Sequence, residues 1–360
     1  MRRVLILGAT GSIGTTCLDA IRSGRLEAEV TGLVARHSNE RLESLSREFD
    51  CPYLINDSHE ALASFIKNCG GDIALNGIAG SAGLAASLAC LDAGLDLALA
   101  NKESIVMGGQ FLLDEAARLK RRIIPVDSEH SAIYNLLKGH RGEVSSLVIT
   151  ASGGPFLDRQ DLENVTPDEA AAHPTWKMGR KISIDSSTLA NKGLEVIEAG
   201  FLFGIDARCI EVTIHRQSIV HSMIRLDNGA VYAQLSPPDM TLPIVAAVND
   251  ERGALHDVVR PLSFNDLTLT FHSWSASRFP LLALAYTVLE KKAGYPIAFN
   301  AADEVAVAAF VDGSIRYTDI ATVVERTLDE DWSHTACSYQ EIVDIDSKAR
   351  EVASRCLRSL

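Results

Sequence analysis

The first fourteen residues constrain the fold more than any other stretch of the chain. RVLIL at residues 3–7 is an unbroken aliphatic run, typical of a strand that is buried on both faces of a parallel sheet. Gly8, Gly11 and Gly14 follow, and an amphipathic run then covers residues 12–23. A strand, a glycine turn and a helix in this order predict the opening of an α/β domain.

The glycine turn also indicates what this domain binds. Glycines permit a tight bend and let N–H groups at a helix start approach a pyrophosphate, so the turn predicts a dinucleotide site. Its spacing is GxxGxxG rather than the commoner GxGxxG, and a plain tight turn is the alternative. After the next strand, Arg36, His37 and Ser38 stand where an NAD enzyme usually has an acidic residue. A basic residue there favours NADPH.

Strands and helices continue to alternate through the first third of the chain. Further strands are predicted at PYLIN, DIALNGI, LDLALAN and RIIPV, with helices near 59–68, 82–93 and 109–120. The pattern predicts a doubly wound parallel sheet, in which ligands bind beyond the carboxyl ends of the strands. The loops 76–83 and 100–104 are therefore candidate site loops. Asn101, Lys102 and Glu103 are candidate site residues, with an ordinary polar turn as the alternative.

Carboxylates follow the last strand of this series. RIIPV leads directly into Asp127, Ser128 and Glu129. Oxygen ligands of this kind suit Mg²⁺ or Mn²⁺, and Glu195 would complete a set of three carboxylates. The alternative is a helix start, because Asp127 or Ser128 would cap a helix and Glu129 would favour its dipole.

The run HPTWKMGRKISIDSSTLANKGLEVIE holds the most ligands suited to a phosphate. Its pattern predicts a short strand over 182–184 and a helix that begins at 186–188. Hydroxyls at this helix N-terminus, together with Asn191 and Lys192, would bind a phosphate monoester, with Glu195 on the same helix face. The alternative is a capped helix that carries a surface Lys192–Glu195 ion pair.

The first part of this run, HPTWKMG, makes a poor core strand. Pro174, Gly179 and an exposed-looking Trp176 indicate a loop that covers the ligand. An ordinary surface loop is the alternative.

Longer amphipathic strands begin near residue 145. SSLVITA, RCIEVTIH, VHSMIRLD and AVYAQLS predict a second, α+β domain, with an Asn-Gly hairpin turn between the last two. Ser152, in ASGGPF, is a candidate anion ligand, with a simple turn as the alternative. Ser218 and His221 are weaker candidates, because Ser and His in strands are more often structural.

The last part of the chain is predicted to be an arm followed by helices. Residues 251–280 lack periodicity and contain prolines and polar turns, which indicates a connecting arm. Helices are expected near 281–292, 301–311, 318–329 and 338–357.

Composition narrows the functional classes. A formal net charge of −13 argues against nucleic acid or an anionic membrane as the main partner. Seven scattered cysteines without a CxxC pair fit neither a disulfide framework nor a zinc site, and a cytoplasmic protein is expected. No apolar run reaches ~18 residues, so we expect no membrane span.

Seven motifs, taken together, resemble the 1-deoxy-D-xylulose 5-phosphate reductoisomerase family. In chain order they are GATGSIG, ANKES, VDSEH, SGGPF, HPTWKMGRKISIDSSTLANKGLE, IHRQSIVHS and NAADEVAVAAF. The resemblance implies a homodimer whose chain has four parts. These are a Rossmann-like NADPH domain at 1–126, an α+β catalytic domain at 127–250 with a flap at 173–180, an arm at 251–280 and a helical bundle at 281–360.

The activity that the resemblance implies is a step of non-mevalonate isoprenoid synthesis. Such an enzyme isomerises 1-deoxy-D-xylulose 5-phosphate and reduces the product to 2-C-methyl-D-erythritol 4-phosphate, using NADPH and Mg²⁺, Mn²⁺ or Co²⁺. A second hypothesis is an NADP-dependent dehydrogenase of another phosphorylated or acidic substrate. A third is a nucleotide-sensing regulator without enzymatic activity.

The resemblance also assigns roles by motif position. The implied metal ligands are Asp127, Glu129 and Glu195, and the implied catalytic residues are Lys102, Glu129 and Glu195. Implied substrate contacts are Lys102, Ser128, Glu129, Ser152, His173, Trp176, Ser186, Asn191, Lys192 and Glu195. Implied cofactor contacts are Thr10, Gly11, Ser12, Ile13, Asn101, Glu103 and Gly179. Arg36, His37 and Ser38 are added as cofactor contacts because of their position after the second strand, not because of the resemblance. The chain departs from the family's usual residues at Ala9, Arg36, Ser187, Arg216 and Asp303, the last replacing an asparagine.

Overall fold

The first sheet is built from the N-terminal part of the chain. The computed structural model describes residues 1–36, 39–56, 58–140, 144–176, 178–250 and 255–360, and only the backbone of Asn39. The strands of this sheet are β1 (Arg2–Leu7), β2 (Ala28–Ala35), β3 (Tyr53–Ile55), β4 (Ile73–Asn76), β5 (Asp96–Leu99) and β6 (Ile123–Pro125). All are parallel, in the order β3-β2-β1-β4-β5-β6. The order reverses between β1 and β4, where ligands bind in sheets of this kind.

Helices connect the strands of the first sheet, and the predicted doubly wound sheet is confirmed. They are α1 (Ser12–Arg22), α2 (Asn39–Glu48), α3 (His59–Cys69), α4 (Gly83–Asp92), α5 (Lys102–Arg118) and α6 (Ser128–Gly139). The sequence pattern does not predict α2, which buries little beyond Leu42 and Leu45. The prediction that α5 begins near residue 109 is wrong, because the Asn101 side chain caps an earlier start. Gly109 only kinks this helix (φ 45°, ψ −132°).

The second sheet has four strands and mixed polarity. They are β7 (Val144–Ala151), β8 (Ile210–Ile214), β9 (Val220–Leu226) and β10 (Val231–Leu235), in the order β10-β9-β7-β8. β7 pairs parallel with β8 and antiparallel with β9. The predicted hairpin is confirmed, because β9 and β10 pair antiparallel across Gly229, whose φ is 86°. Positive φ is the conformation that favours glycine in such a turn.

Helices occupy most of the chain between β7 and β8. They are α7 (Pro167–Ala171), α8 (Arg180–Thr188) and α9 (Ala190–Phe203), with a short 3₁₀ turn at Ala207–Cys209. The predicted strand at 182–184 is therefore wrong. Two isoleucines at a spacing of two are too short a pattern to define a strand, and an i, i+4 ion pair between Lys181 and Asp185 supports the helix instead.

The C-terminal part of the chain is helical, as predicted. After α10 (Thr241–Asn249) come α11 (Pro280–Lys291), α12 (Tyr295–Val311), α13 (Asp319–Leu328) and α14 (Tyr339–Leu357). The fully buried rings of Phe299 and Phe310 belong to α12, which packs against α13 and α14. Within the part of the chain that is described, no helix combines the length and apolar character needed to cross a bilayer.

The chain folds into two compact units. The first comprises Met1–Ser104, Leu112–Asn135 and Asp239–Leu262, and the second comprises Ile105–Phe111, Leu136–Pro238 and Ser263–Leu360. Helix α10 belongs to the first unit, where Ile244, Val245 and Val248 join the core that contains β1. The compact units thus do not follow the predicted boundaries at 126 and 250. The functional division into cofactor, catalytic, arm and helical parts stays a prediction.

Candidate active site

The glycine turn after β1 has the close packing that a dinucleotide site requires. Gly8 has a φ of 82°, and a Cβ on it would lie 2.7 Å from the Gly77 carbonyl oxygen. A Cβ on Gly14 would lie 2.5 Å from the Gly8 carbonyl oxygen. Both distances are shorter than real Cβ contacts, so these positions need glycine for the turn and for the approach of α1 to it.

The start of α1 is open to an anion. Gly11 is the N-cap residue of α1, and among the described residues no side chain caps it. Gly11 and Ser12 are exposed, while Thr10 and Ile13 are half-buried. The first turn carries no acidic residue. Its N–H groups and the positive end of the helix dipole therefore suit a phosphate group.

Arg36 lies just beyond the carboxyl end of β2, and its side chain is exposed. His37 and Ser38 lie outside the described residues. The contact of this segment with NADPH therefore stays a prediction. An exposed guanidinium at a strand end is chemically suited to a 2′-phosphate.

The two predicted site loops are joined by hydrogen bonds. Asn101 Nδ2 donates to the Gly80 carbonyl oxygen at 3.0 Å and to Glu103 Oε2 at 2.7 Å. The Gly80 N–H donates to Glu103 Oε1 at 3.2 Å. Asn101 Oδ1 also accepts from the Ser104 N–H at 2.9 Å, which caps α5. These contacts fix the loops at the carboxyl ends of β4 and β5, where a cofactor would bind.

Asp127 is paired with a buried lysine. Lys102 is 4% exposed, and its Nζ lies 2.5 Å from Asp127 Oδ2. Burial alone would raise the pKa of Asp127, but the charge of Lys102 and the interaction with His130 outweigh it and hold that pKa well below its usual range. Ser128 Oγ donates to Glu129 Oε2 at 2.5 Å, in the first turn of α6. Two acidic side chains are thus available at the end of β6.

In the second unit, Ser152 and His173 form a hydrogen-bonded pair. Ser152 Oγ lies 2.9 Å from His173 Nε2. His173 Nδ1 accepts from the N–H groups of Thr175 and Trp176, at 3.1 Å and 2.9 Å. Nε2 therefore carries the proton of the neutral ring and donates to Ser152. Burial, and then the charge of Lys192, lower the pKa of His173 to about 4.

The first turns of α9 bury a carboxylate with two donors. Asn191 Nδ2 donates to Glu195 Oε1 at 2.6 Å, and Lys192 Nζ donates to Glu195 Oε2 at 2.5 Å. Lys192 is 4% exposed and Glu195 is 1% exposed. The alternative of a surface ion pair is therefore wrong. Burying such a pair costs desolvation, and ion pairs buried at this cost are typical of functional sites.

Ser186 ends a helix instead of starting one. Its Oγ donates to the Ile182 carbonyl oxygen at 2.9 Å, within α8. The prediction that residues 186–188 open a helix is wrong, since α9 begins at Ala190 after Leu189, whose φ is 57°. A Cβ on Gly154 would lie 2.7 Å from the Ser186 carbonyl oxygen. The loop of Ser152 therefore packs directly against Ser186, as the predicted shared site requires.

The segment before α8 has no regular structure among its described residues, 172–176 and 178–179. Trp176 is half-buried, contrary to its exposed appearance in the sequence, and its backbone N–H donates to His173 Nδ1. Gly179 is exposed and is the N-cap residue of α8. Movement of this segment over a ligand stays a prediction.

Family models match the chain in three parts. A model of 1-deoxy-D-xylulose 5-phosphate reductoisomerase matches residues 4–71 and 55–109, and models of the C-terminal domains of this enzyme match 123–203 and 235–352. The chain belongs to the 1-deoxy-D-xylulose 5-phosphate reductoisomerase family. The resemblance seen in its motifs is thereby confirmed.

Relatives match the reductoisomerase chain over nearly its whole length. The reductoisomerase of Treponema denticola is 43% identical, with 98% of this chain and 96% of the relative covered. That of Leifsonia xyli is 44% identical, with 99% of both covered. A reductoisomerase structure from Zymomonas mobilis in complex with NADPH is 36% identical, covers 100% of both chains and has a TM-score of 0.91. Another, in complex with NADPH, fosmidomycin and magnesium, is 34% identical, covers 99% and 98%, and has a TM-score of 0.90.

Two buried histidines that the sequence does not single out as site residues lie close to the predicted site residues. His130 is 0% exposed, and its Nδ1 lies 3.8 Å from Asp127 Oδ1. Its place three residues after Asp127 on a predicted helix was the available sequence signal. His221 Nε2 lies 2.7 Å from Ser236 Oγ, and burial with the charge of Lys192 lowers its pKa to about 4. The sequence marks His221 only as a weak candidate.

Proposed function

We propose that the chain converts 1-deoxy-D-xylulose 5-phosphate to 2-C-methyl-D-erythritol 4-phosphate, with NADPH and a divalent cation. The observation that carries the proposal is its full-length likeness, 43% identity over 98% of the chain, to a reductoisomerase. Family membership favours this activity over a dehydrogenase of another substrate and over a nucleotide-sensing regulator.

Asp127, Glu129 and Glu195 are the proposed ligands of the cation. Their chemistry fits Mg²⁺, Mn²⁺ or Co²⁺, because carboxylate oxygens are hard ligands. Lys102 beside Asp127 favours the ionised form that a metal ligand needs. When bound, the cation would polarise the substrate ketone and hold the neighbouring hydroxyl oxygen.

The phosphate of the substrate is proposed to bind to Ser186, Asn191 and Lys192. Asn191 and Lys192 lie in the first turn of α9, where N–H groups and the helix dipole also favour an anion. Ser152 and His173 are proposed to contact the rest of the substrate from the adjoining loops, as are Lys102, Ser128 and Trp176. Binding energy from the phosphate, which is remote from the reacting carbons, can orient the substrate and exclude water.

The proposed NADPH contacts are the open start of α1, the joined loops and the start of α8. NADPH would supply the hydride that reduces the aldehyde formed by isomerisation of the substrate. Lys102 Nζ is the proposed proton donor or electrostatic partner for the substrate oxygens. The proposed NADPH contacts are Thr10, Gly11, Ser12, Ile13, Arg36, Asn101, Glu103 and Gly179, and His37 and Ser38 are also predicted to contact NADPH.

A homodimer is proposed from apolar exposure in the second unit. Strand β10 is at the edge of its sheet, and Val231 and Tyr232 on it are 46% and 44% exposed. Phe264 is 69% exposed. Edge strands and exposed aromatic rings of this kind are typical of protein interfaces. Sedimentation should give about twice the 38.8 kDa of one chain, and a monomer at micromolar concentration would contradict the dimer.

A cytoplasmic location is proposed from the cysteines. All seven are free thiols, as expected in a reducing compartment. Cell fractionation with periplasmic and cytoplasmic markers tests this, and recovery with the periplasmic marker would contradict it.

The activity is tested by NADPH oxidation with 1-deoxy-D-xylulose 5-phosphate. We expect substrate-dependent oxidation that EDTA abolishes and that Mg²⁺ or Mn²⁺ restores. Turnover that is unaffected by EDTA, or turnover of a simple hydroxy acid instead, would favour the dehydrogenase hypothesis.

A further inference from the structure

Helix α8 carries a buried ionic cluster that the proposed reaction does not use. Lys181 Nζ donates to Asp185 Oδ2 at 2.6 Å and to Asp303 Oδ2 at 2.8 Å. The side chains of Asp185 and Asp303 are 3% and 0% exposed, and that of Lys181 is 28% exposed. One ammonium group therefore serves two buried carboxylates, one on its own helix and one on α12.

Aliphatic side chains contribute little to the packing of α8. Six of its nine residues are buried, but Ile184 is its only fully buried aliphatic side chain. A helix of this length is marginal without tertiary support. Buried carboxylates strongly favour the geometry that keeps their cation in place. The cluster of Lys181, Asp185 and Asp303 is therefore a specific connection between α8 and α12.

The last turn of α8 adjoins the proposed phosphate ligands. Ser186 directly follows Asp185, and the left-handed Leu189 connects α8 to α9 without a loop. On another side, the backbone at Gly154 contacts Ser186 so closely that no side chain fits between them. A small displacement of α8 would therefore change the distance between Ser186 and Lys192.

We propose that Lys181 is a positioning residue, which acts with Asp185 and Asp303 to hold Ser186 where the phosphate of the substrate binds. The inference rests on the proposed function, because it takes Ser186 as a phosphate ligand. Asparagine at position 303 would still accept a hydrogen bond from Lys181. Methionine at position 181 would instead leave two carboxylates buried together without their cation.

Steady-state kinetics of Lys181→Met test the proposal, with Arg208→Met as the matched control. Arg208, in the 3₁₀ turn at Ala207–Cys209, pairs with Asp206 at the surface, where their side chains are 82% and 65% exposed. We expect Lys181→Met to raise KM for the substrate about tenfold and to change kcat less than about threefold. Arg208→Met should stay within about twofold of wild type, because an exposed ion pair contributes little. Asp303→Asn and the conservative Lys181→Arg, which keep a hydrogen bond in the cluster, should also stay within about twofold.

A double mutant tests whether Lys181 acts through Ser186. In a Ser186→Ala background, Lys181→Met should raise KM by less than about twofold, because the contact it positions is already absent. If the increase in KM of the double mutant equals the product of the increases in the two single mutants, the inference is overturned. Equal losses in kcat and in affinity for NADPH would also overturn it.

Hydrogen exchange in the ligand-free protein separates this inference from the proposed function. We expect faster exchange of the amides at 186–189 in Lys181→Met than in wild type or Arg208→Met. Unchanged exchange would overturn the positioning role. Absence of substrate turnover by the wild type would overturn the proposed function, and the exchange result would still decide whether the cluster holds α8 in place. Should Lys181→Met not fold, Lys181→Gln, which keeps a donor group without the charge, is judged by the same criteria.

Discussion

Glu195 combines deep burial with two short hydrogen bonds, from Asn191 and Lys192. Such a carboxylate is held in one orientation before any ligand arrives. Preorganisation of this kind reduces the cost of binding a cation or an anion beside it. At the residue scale, these hydrogen bonds explain how a proposed metal ligand and the proposed phosphate ligands can lie within one turn of α9.

Replacing the proposed metal ligand Glu195 by glutamine should lower kcat/KM at least about 100-fold, because a neutral amide is a weaker ligand for a hard cation. The dependence on Mn²⁺ concentration should shift to higher values. Glu290→Gln, at an exposed position of α11, is the control. Near-normal kinetics with an unchanged Mn²⁺ dependence would remove Glu195 from the metal site.

Lys192→Ala should act mainly on the phosphate. We expect KM for the substrate to rise about 100-fold, kcat to fall as well, and KM for NADPH to stay within about twofold. Lys67→Ala, at an exposed position of α3, controls for the loss of a charge. An increase in KM for NADPH without one for the substrate would contradict the assignment.

His221 predicts a pH dependence of stability. Its pKa in the folded protein is lowered to about 4, so between about pH 6.5 and pH 4 the unfolded chain binds the extra proton. The free energy of unfolding should therefore fall with acidification through this window, by roughly 1–3 kcal/mol from this group. Thermal unfolding of His221→Gln should show a shallower decline than wild type or the exposed His256→Gln. Parallel declines in all three would contradict this account.

The positions of the candidate residues Asp127 and Glu129 could be predicted from the sequence, whereas the partner of Asp127 could not. Asp127 and Glu129 follow a recognisable buried strand, which places them at its carboxyl end. The pairing of Asp127 with Lys102 joins positions 25 residues apart and depends on how α5 and β6 pack. Nothing local in the sequence encodes that distance.

At the scale of elements, a pattern that recurs along the chain predicts its secondary structure correctly, whereas a short pattern that occurs once does not. The strands of the first sheet are aliphatic runs that recur between turn residues and helices, and this repetition makes them predictable. Helix α8 was not predictable, because its serines suggest a helix start and its two isoleucines suggest a strand. One of its ion-pair partners, Asp303, belongs to α12 and lies 122 positions from Lys181.

The glycine turn before α1 supplies a prediction at this scale. Gly14→Ala would place a Cβ 2.5 Å from the Gly8 carbonyl oxygen, so α1 must move away from the turn. We expect affinity for NADPH to fall at least about tenfold and the melting temperature to drop. Gly139→Ala, at the end of α6 where a Cβ meets nothing within 4 Å, is the control. Unchanged NADPH binding in fluorescence titrations would argue against a dinucleotide site at this turn.

At the scale of the whole molecule, the sequence predicts the fold class but does not predict which compact unit each segment joins. Helix α10 is apolar almost all round, and it belongs to the first unit although it follows the second sheet. Helix α10 joins the first unit through contacts of Ile244 and Val248 with a core that is otherwise built mainly from the first 126 residues. Long-range packing of this kind leaves no periodic signature, so the linear boundaries at 126 and 250 did not anticipate it.

The central claim is that Asp127, Glu129 and Glu195, from separate parts of the chain, bind one divalent cation. A crystal structure with Mn²⁺, analysed by anomalous diffraction, tests it most directly. We predict one strong anomalous peak with an oxygen of each carboxylate within about 2–2.5 Å. Absence of a peak at saturating Mn²⁺, or a peak that contacts none of the three carboxylates, would contradict the claim.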